Sequence, residues 1–248
     1  MCWSETATYG MVGLGAAATL VTYHRKDSAA IWGTLGYFTA MEGLQAWGYA
    51  VIDQCGTPSN YAVTLLSYLH IAFQPIVINA FCMALVGTAL SPAARRRVFA
   101  LAGLATCLML ARLMPMPWAG TCQLGTPLCG PGFCTISGGW HLGWTVPLND
   151  LLARGLMIGP LLDMLPVTGG GMRFLDYMLA VFLLPCFYGA WRFALFHLLL
   201  GPVLATLLTG NPNEAPAVWC LFSIGLALAA ISPLFRRSLV PPRHPRPA

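Results

Sequence analysis

Apolar segments long enough to cross a lipid bilayer recur along the whole chain, and this feature limits its fold most. Hydrophobic residues make up 57% of the 248 residues and charged residues only 8%, whereas soluble domains carry about 25% charged residues. Apolar runs of roughly 17–25 residues have the length of membrane-spanning helices. We therefore expect an all-α, polytopic transmembrane bundle. The predicted spans, seven in number, are residues 7–23, 29–52, 61–90, 98–114, 174–190, 193–209 and 216–234.

The basic residues predict the orientation of these spans. Cytoplasmic loops carry an excess of Lys and Arg. An N-terminus outside and a C-terminus in the cytoplasm put residues 25–26, 95–97 and the arginine-rich tail on the cytoplasmic side. We expect one transmembrane domain over residues 1–235 and a basic, Pro-rich, disordered tail over residues 236–248. No basic patch alternates with aromatic residues, so the net charge of +5 indicates topology and no nucleic-acid partner.

Residues 151–165 leave an eighth span open. The segment is apolar but short, and it contains Arg154, Pro160 and Asp163. An eighth span would move the arginine-rich tail outside, against the charge rule. Seven spans are therefore preferred, with this segment lying on or dipping into the outer surface.

Polar residues inside the third predicted span are the first indication of a site. Ser67, His70 and Gln74 are spaced i, i+3, i+7 and share one helix face. Pro75 follows them and would kink the helix beside that face. Ionisable and amide side chains are costly inside a bilayer and usually face a protein interior or a watery cavity.

A matching polar stripe occupies the second predicted span. Glu42, Gln45 and Tyr49 lie on one face at helical spacing, and Glu42 sits at roughly the depth of His70. Because consecutive elements usually neighbour each other, we expect a Glu42–His70 pair. The alternative is a purely structural hydrogen bond between helices, worth about 0.6 kcal/mol.

The long segment 115–172 is rich in Cys, Gly and Pro and is predicted to lie outside the membrane. Cysteines in an oxidising compartment usually pair; the disulfide candidates are Cys55, Cys122, Cys129 and Cys134. The alternative is a metal site that combines His141 with one or more thiolates. Asp150 and Glu214 fall on the same side and could line a substrate or ion pathway.

Cys2 is a further candidate on the outer side. Removal of the initiator methionine would leave an N-terminal cysteine, which could ligate a metal or act as a nucleophile. A disulfide or an inert thiol is the alternative, and the oxidising compartment favours it.

Several motifs together resemble a known family. They are the opening Met-Cys-Trp-Ser, residues 41–45 (MEGLQ), 67–75 (SYLHIAFQP), 140–144 (WHLGW), 188–193 (YGAWRF), 211–214 (NPNE) and 217–223 (AVWCLFS). Over most of its length the chain resembles an uncharacterised bacterial membrane-protein family that begins Met-Cys-Trp-Ser, a domain of unknown function. The resemblance implies a multi-pass protein of the bacterial inner (plasma) membrane and carries no activity with it.

Three classes of function fit these residues. The first, narrowly favoured, is a metal- or thiol-dependent hydrolase or redox enzyme at the outer face. It would use Glu42, His70 and His141 as metal ligands or acid–base groups, Cys2 as a catalytic thiol, and a transition metal such as zinc or copper. The second is a transporter, channel or sensor for a proton, metal ion or small solute, with a polar pathway lined by Glu42, Gln45, His70 and Gln74. The third is an accessory subunit. The expected partners are the lipid bilayer and a small-molecule or ion ligand, and the oligomeric state stays open.

Overall fold

The protein is mostly helical, as predicted. The structure, a computed structural model, describes residues 4–87, 90–152, 174–220 and 222–239. Cys2, residues 153–165 of the predicted surface segment and residues 240–248 of the predicted tail lie outside the described residues. The helices are α1 Glu5–His24, α2 Ala29–Ala50, α3 Pro58–Val86, α4 Pro92–Ala111, α5 Leu175–Phe187, α6 Trp191–Leu208, α7 Ala215–Trp219, α8 Phe222–Ile231 and α9 Pro233–Ser238.

Several helix starts follow local capping chemistry and fall earlier than the apolar runs suggested. Ser91 accepts a hydrogen bond from the Ala94 N–H at 3.2 Å, and Pro92 occupies the first helical position of α4. Both features favour a helix start. The arginines at 95–97 therefore lie within the first turns of α4, whereas hydropathy had placed them before the helix.

Helices α5 and α6 each contain a π-helical turn, at Leu179–Leu183 and Leu199–Val203. In each, an N–H bonds the carbonyl five residues back: Leu184 to Leu179, and Leu204 to Leu199. Pro185 and Pro202 supply the reason, because a proline ring clashes with the carbonyl four residues back. A wider turn accommodates the ring, and such turns often occur at functional sites.

Residues 112–152, here called the cap, cover one end of the helices. The cap holds an antiparallel hairpin of two strands, β1 Cys134–Ser137 and β2 Leu142–Thr145, which the sequence reading did not predict. Strands of four residues are too short for a clear alternating pattern. The predicted pairing of the outer cysteines is confirmed, as Cys55–Cys134 and Cys122–Cys129.

Successive helices alternate in direction between the cap and the opposite end, here called the arginine end. At the cap, the Asp53 N–H following α2 bonds the Thr135 carbonyl at 3.0 Å. At the arginine end, Arg25 after α1 donates to the Ile231 carbonyl of α8 at 2.7 Å. Helices α3 and α5 start at the cap, and α4 and α6 return to it. The run from α7 to α8 then leaves it again.

The arginine end is ordered through part of the predicted tail. Arg236 pairs with Asp27 at 3.0 Å, and Arg192 donates to the Ser238 carbonyl at 3.3 Å. Both Arg236 and Ser238 belong to α9, so the expectation of disorder from residue 236 onward is wrong for the first tail residues. Helix α9 follows Ser232, whose hydroxyl accepts a hydrogen bond from the Phe235 N–H, and it continues the helical structure into the predicted tail.

Among the described residues, α3 and α6 are long and apolar enough to cross a membrane, by length and composition alone. Helix α3 is also the centre of the fold. It packs against α2, α4, the strand β1 and the π-helical turn of α5. Within it, Tyr68 is fully buried and donates from its hydroxyl to the Met109 carbonyl of α4 at 2.7 Å.

Candidate functional site

The structure divides the predicted site residues between two places. Tyr49, His141, Asp150 and Glu214 lie buried in or against the cap. The second group occupies the helix core beneath the cap, and its members are Glu42, Gln45, His70 and Gln74. The two groups have different surroundings.

Glu214 is a brace for the hairpin turn of the cap. Its carboxylate accepts hydrogen bonds from the backbone N–H groups of Gly139, Trp140 and His141 and from the Thr209 hydroxyl. A Cβ at Gly138 would collide with this carboxylate, so the close approach requires glycine. With both oxygens engaged by the protein itself, Glu214 serves the structure of the cap more than a pathway.

His141 is likewise engaged by the cap. Its Nδ1 lies 2.7 Å from the Leu142 N–H and 3.0 Å from the Tyr49 hydroxyl, and the side chain is fully buried. An N–H can only donate, so Nδ1 accepts and carries no proton. Burial lowers the pKa of His141 to about 3, because an apolar environment disfavours the charged imidazolium. The ring is therefore neutral, with Nδ1 already used.

Two cap anchors were missed by sequence reasoning. Asn60 joins α3 to β1: its Nδ2 donates to the Thr135 carbonyl at 3.0 Å, and its Oδ1 accepts from the Thr135 N–H at 2.9 Å. Arg112, which directly follows α4, forms a buried ion pair with Asp176 at 2.8 Å. Its guanidinium also lies 4.5 Å from the centre of the Phe174 ring. A buried pair of this kind requires good geometry to offset desolvation.

In the helix core, His70 is packed against an aromatic side chain. The rings of Tyr37 and His70 stack with their centres 3.8 Å apart, and the Tyr37 hydroxyl donates to the His70 backbone carbonyl. The expected Glu42–His70 pair is not among the interactions of His70 in the described residues. Glu42 instead borders a small space beside Met11 of α1 and Ala227 of α8.

Gln74 lies on the wall of a cavity between α3 and the later helices. Its Oε1 accepts a hydrogen bond from the Tyr177 hydroxyl of α5. The cavity has a volume of about 70 Å³ and is partly open to the surface. Its lining residues are Phe38, Ile71, Gln74, Met109, Pro127, Leu128, Phe174, Tyr177, Met178, Pro202, Ala205, Thr206, Ala215, Pro216, Trp219 and Cys220.

The cavity wall continues at Cys220, with Gln45 and Glu42 of α2 within electrostatic reach of its thiol. The Cys220 thiol donates to the Pro216 carbonyl at 3.3 Å. Gln45 is 1% exposed, and neither of its amide atoms makes a hydrogen bond of normal geometry within the described residues. These polar groups of α2, α3, α5 and α7, together with the cavity, are the candidate site.

Tyr177 and Cys220 were not among the predicted site residues. Tyr177 is a single hydroxyl on a short apolar helix, and nothing in its sequence neighbourhood separates it from a packing residue. Cys220 lies one turn below Glu214 along the chain, which places it near the outer end of its helix, but its contact with α2 is a long-range property. Only the tertiary structure brings Tyr177 to Gln74 and Cys220 to Gln45.

The predicted metal ligands do not form a metal site. The residues that the structure describes contain no group of three or more His, Cys, Asp or Glu side chains arranged to hold an ion. His141 belongs to the cap, while His70 stacks on Tyr37 in the helix core. The set Glu42, His70 and His141 is thus split, and Cys2 lies outside the described residues.

Comparison with known proteins adds one match. The model of a family described as a family of unknown function (DUF5765) matches residues 6–240. No curated protein matches the chain, and no solved structure matches it. The match bears out the resemblance to an uncharacterised family, and it begins after the Met-Cys-Trp-Ser opening.

Proposed function

The chain belongs to this family of unknown function, DUF5765, and we propose that it is a multi-pass membrane protein that binds a small molecule in its helix core. The proposal takes α1, α2, α3, α4, α5, α6 and the α7–α8 run as seven passes. The N-terminus and the cap lie outside the cytoplasm and the arginine end faces it, in a bacterial plasma membrane. The bound molecule occupies the cavity lined by Gln74, Tyr177 and Cys220.

A membrane location is supported by the apolar exterior of the helices. Large hydrophobic side chains are exposed on helices other than α3 and α6, the two that are long and apolar enough to cross a membrane; among them are Leu14, Leu20, Phe99, Leu101, Leu104, Leu179, Leu183, Phe187 and Leu228. Monomeric soluble proteins rarely expose contiguous apolar patches above a few hundred Å². A hydrocarbon environment removes the cost of this exposure.

The proposed orientation is supported by the chemistry of the two ends. The disulfides Cys55–Cys134 and Cys122–Cys129 both belong to the cap end, and disulfides persist in oxidising compartments. Arg25, Arg192 and Arg236 meet at the other end, as cytoplasmic ends of membrane helices do.

The single observation that carries the binding function is the cavity itself. Ligand pockets are mostly apolar and contain a few placed polar groups, and this cavity presents the Gln74 amide, the Cys220 thiol and a few other polar side chains within a mostly apolar wall. Both π-helical turns adjoin it, since Met178 directly precedes one and Pro202 lies in the other. This arrangement favours the class of transporters and sensors.

A metal- or thiol-dependent enzyme at the outer face stays a prediction with less support. The two groups near the cap that are best suited to acid–base work, Glu214 and His141, accept hydrogen bonds from the backbone of the cap. An accessory subunit is the remaining alternative, and this role does not account for the cavity.

The test is to fill the cavity with a larger side chain and to measure which bound small molecule is lost. Protein would be extracted with its surrounding lipid in polymer-bounded particles, and small molecules released from wild type and variants would be compared by mass spectrometry. Ala205→Phe places a ring in the cavity, because Ala205 is 1% exposed and lines it. Leu207→Phe is the matched control, because Leu207 is 77% exposed on the same helix.

We expect a molecule near one per chain in wild type and in Leu207→Phe, and its loss in Ala205→Phe. If the larger side chain prevents folding, Thr206→Trp blocks the cavity from an exposed position instead. Identical extracts from wild type and a folded, cavity-filled variant would contradict the proposal.

A further inference from the structure

We infer that the cavity takes a neutral, largely apolar molecule whose carbonyl oxygen accepts a hydrogen bond from the Gln74 side chain. This inference rests on the proposed binding function and adds the chemical class of the ligand. It follows from the charge of the cavity wall, from the donors left uncommitted there, and from the size of the space.

Charge excludes ionic ligands from this cavity. Its lining contains neither acidic nor basic side chains: no Asp, Glu, Lys, Arg or His is among the described residues that border it. Burying an ion without a partner of opposite charge costs far more than burying a hydrogen-bonded neutral group. A ligand that enters this space is therefore neutral.

Apart from Gln74, the polar side chains of the wall donate their hydrogens to other groups of the protein. The Trp219 indole N–H donates to His197 Nε2 at 3.0 Å. The Thr206 hydroxyl donates to the Pro202 carbonyl at 2.7 Å. The Cys220 thiol donates to the Pro216 carbonyl, and the Tyr177 hydroxyl to Gln74 Oε1. Three of the lining residues, Pro127, Pro202 and Pro216, have no backbone N–H that could donate.

The Gln74 side-chain amide is the remaining hydrogen-bond donor among the described residues of the wall. Its Oε1 is taken by Tyr177, while its Nε2 donates to no partner in the described part of the chain. The reversed amide orientation would leave both the Tyr177 proton and Gln74 Oε1 without partners, so the hydrogen-bond network favours this one. An N–H that borders an apolar cavity calls for an acceptor, and a carbonyl oxygen is the acceptor that a neutral apolar molecule most readily carries.

Gln45 gives an independent sign of an unmet polar requirement at the same place. It lies behind the wall, beside Cys220, and is 1% exposed. Neither amide atom has a hydrogen-bond partner of normal geometry within the described residues. Buried polar groups in native proteins are nearly always paired. A water that enters with the ligand and passes the wall beside Cys220 would pair this amide.

The size of the space sets how the ligand lies. A cavity of about 70 Å³ holds a small head group, since one water needs roughly 10–15 Å³ on the same scale. Thr206, on the wall, is exposed. A tail therefore leaves past Thr206 toward the hydrocarbon, and the carbonyl sits inside at Gln74.

The experiment compares two probes of nearly the same shape that differ in one oxygen, acetophenone and ethylbenzene. Binding of each to protein in lipid nanodiscs is measured by equilibrium dialysis, with empty nanodiscs subtracted. We expect saturable acetophenone binding that is about threefold to tenfold tighter than that of ethylbenzene, the range of one net hydrogen bond.

The variants isolate the Gln74 donor. In Gln74→Leu/Tyr177→Phe the preference for acetophenone falls to about onefold, since donor and hydroxyl leave together and no polar group is stranded. Tyr177→Phe alone keeps the Gln74 N–H and keeps the preference. Gln54→Leu, the same change at an exposed loop position, also keeps it.

The possible outcomes test the carbonyl inference and the cavity function separately. Equal affinity for the two probes in wild type, or an unchanged preference in the double variant, overturns the carbonyl inference and leaves the cavity function standing. Saturable binding of neither probe by folded wild type overturns the carbonyl inference, and the extracted-molecule experiment above then decides the cavity function separately. The wild-type comparison alone keeps the inference testable if the double variant does not fold.

Discussion

At the scale of single residues, several buried polar side chains of this protein fix the cap to the helices. Glu214 is the clearest example, because one carboxylate accepts from three successive backbone N–H groups and one hydroxyl. Sequence reasoning placed Glu214 and His141 on the outer side and proposed site roles for them. The sequence does not reveal that the acceptor atoms of both side chains already accept hydrogen bonds from the backbone N–H groups of residues 139–142.

Glu214→Gln is expected to destabilise the protein by about 1–3 kcal/mol, because an amide N–H₂ would face backbone donors and strand some of them. Thermal unfolding in detergent, with the disulfides intact, measures the loss. Glu5→Gln in the exposed first turn of α1 is the control and should change stability by about 0.3–1 kcal/mol at most. Equal effects of the two substitutions would contradict the bracing role.

His141 makes stability depend on pH in a definite direction. Its folded pKa of about 3 lies below the ordinary value of 6.5. The unfolded chain therefore binds a proton first as the pH falls. This contribution to stability is fully present above pH 6.5 and is lost progressively toward pH 3.

His141→Asn, which offers a neutral oxygen in place of Nδ1, should show a shallower loss of the unfolding midpoint between about pH 7 and about pH 4. His24→Asn, at an exposed position at the end of α1, is the matched control. An unchanged pH profile in His141→Asn would show that the cap histidine does not set acid stability.

At the scale of elements, the two disulfides differ in the length of chain that they close. Cys55–Cys134 spans 79 residues and Cys122–Cys129 only 7. Replacing the first pair by alanine should cost roughly 4–5 kcal/mol and the second roughly 2–3 kcal/mol on the chain-entropy argument. Unfolding of the two double variants measures this order, and a larger loss from the short loop would contradict it.

Close packing between α6 and α7 depends on a single glycine. A Cβ at Gly201 would collide with the indole of Trp219, which donates to His197. Gly201→Ala should therefore destabilise by roughly 1–3 kcal/mol through overpacking. Gly33→Ala in α2, where a Cβ meets nothing within 4 Å, should be neutral or slightly stabilising. Unfolding midpoints of both variants check the contrast.

At the scale of the whole molecule, the proposed topology makes a prediction about cysteine labelling. A membrane-impermeant thiol reagent should label the cap cysteines on intact cells after mild reduction, because the cap lies outside. Cys107 and Cys186 are exposed on helix surfaces, yet they should stay unlabelled in cells and in inverted vesicles, because they face lipid. Labelling of the cap cysteines only in inverted vesicles would reverse the orientation, and ready labelling of Cys107 would remove α4 from the bilayer.

Much of the fold could be predicted from the sequence, and much of the candidate site could not. The apolar runs located most helices to within a few residues, although α4 starts earlier than predicted and the predicted span 216–234 is divided among α7, α8 and α9. The spacing of Ser67, His70 and Gln74 identified a polar face on α3. Two polar residues of the α2 stripe, Glu42 and Gln45, were identified in the same way. Helical periodicity assigns residues to a face, but it does not name the residue on the neighbouring helix that each one meets.

The sequence by itself determined that the chain is helical, where its helices run, which helices carry buried polar groups and that its outer cysteines pair. These are local properties, set by hydropathy, capping and residue chemistry over a few turns. Only the tertiary structure decided which cysteines pair, that Tyr177 and Cys220 join Gln74 at a cavity, and that His141 belongs to the cap. Contacts between residues far apart in the chain arise from the packing of whole helices, and no short stretch of sequence contains them.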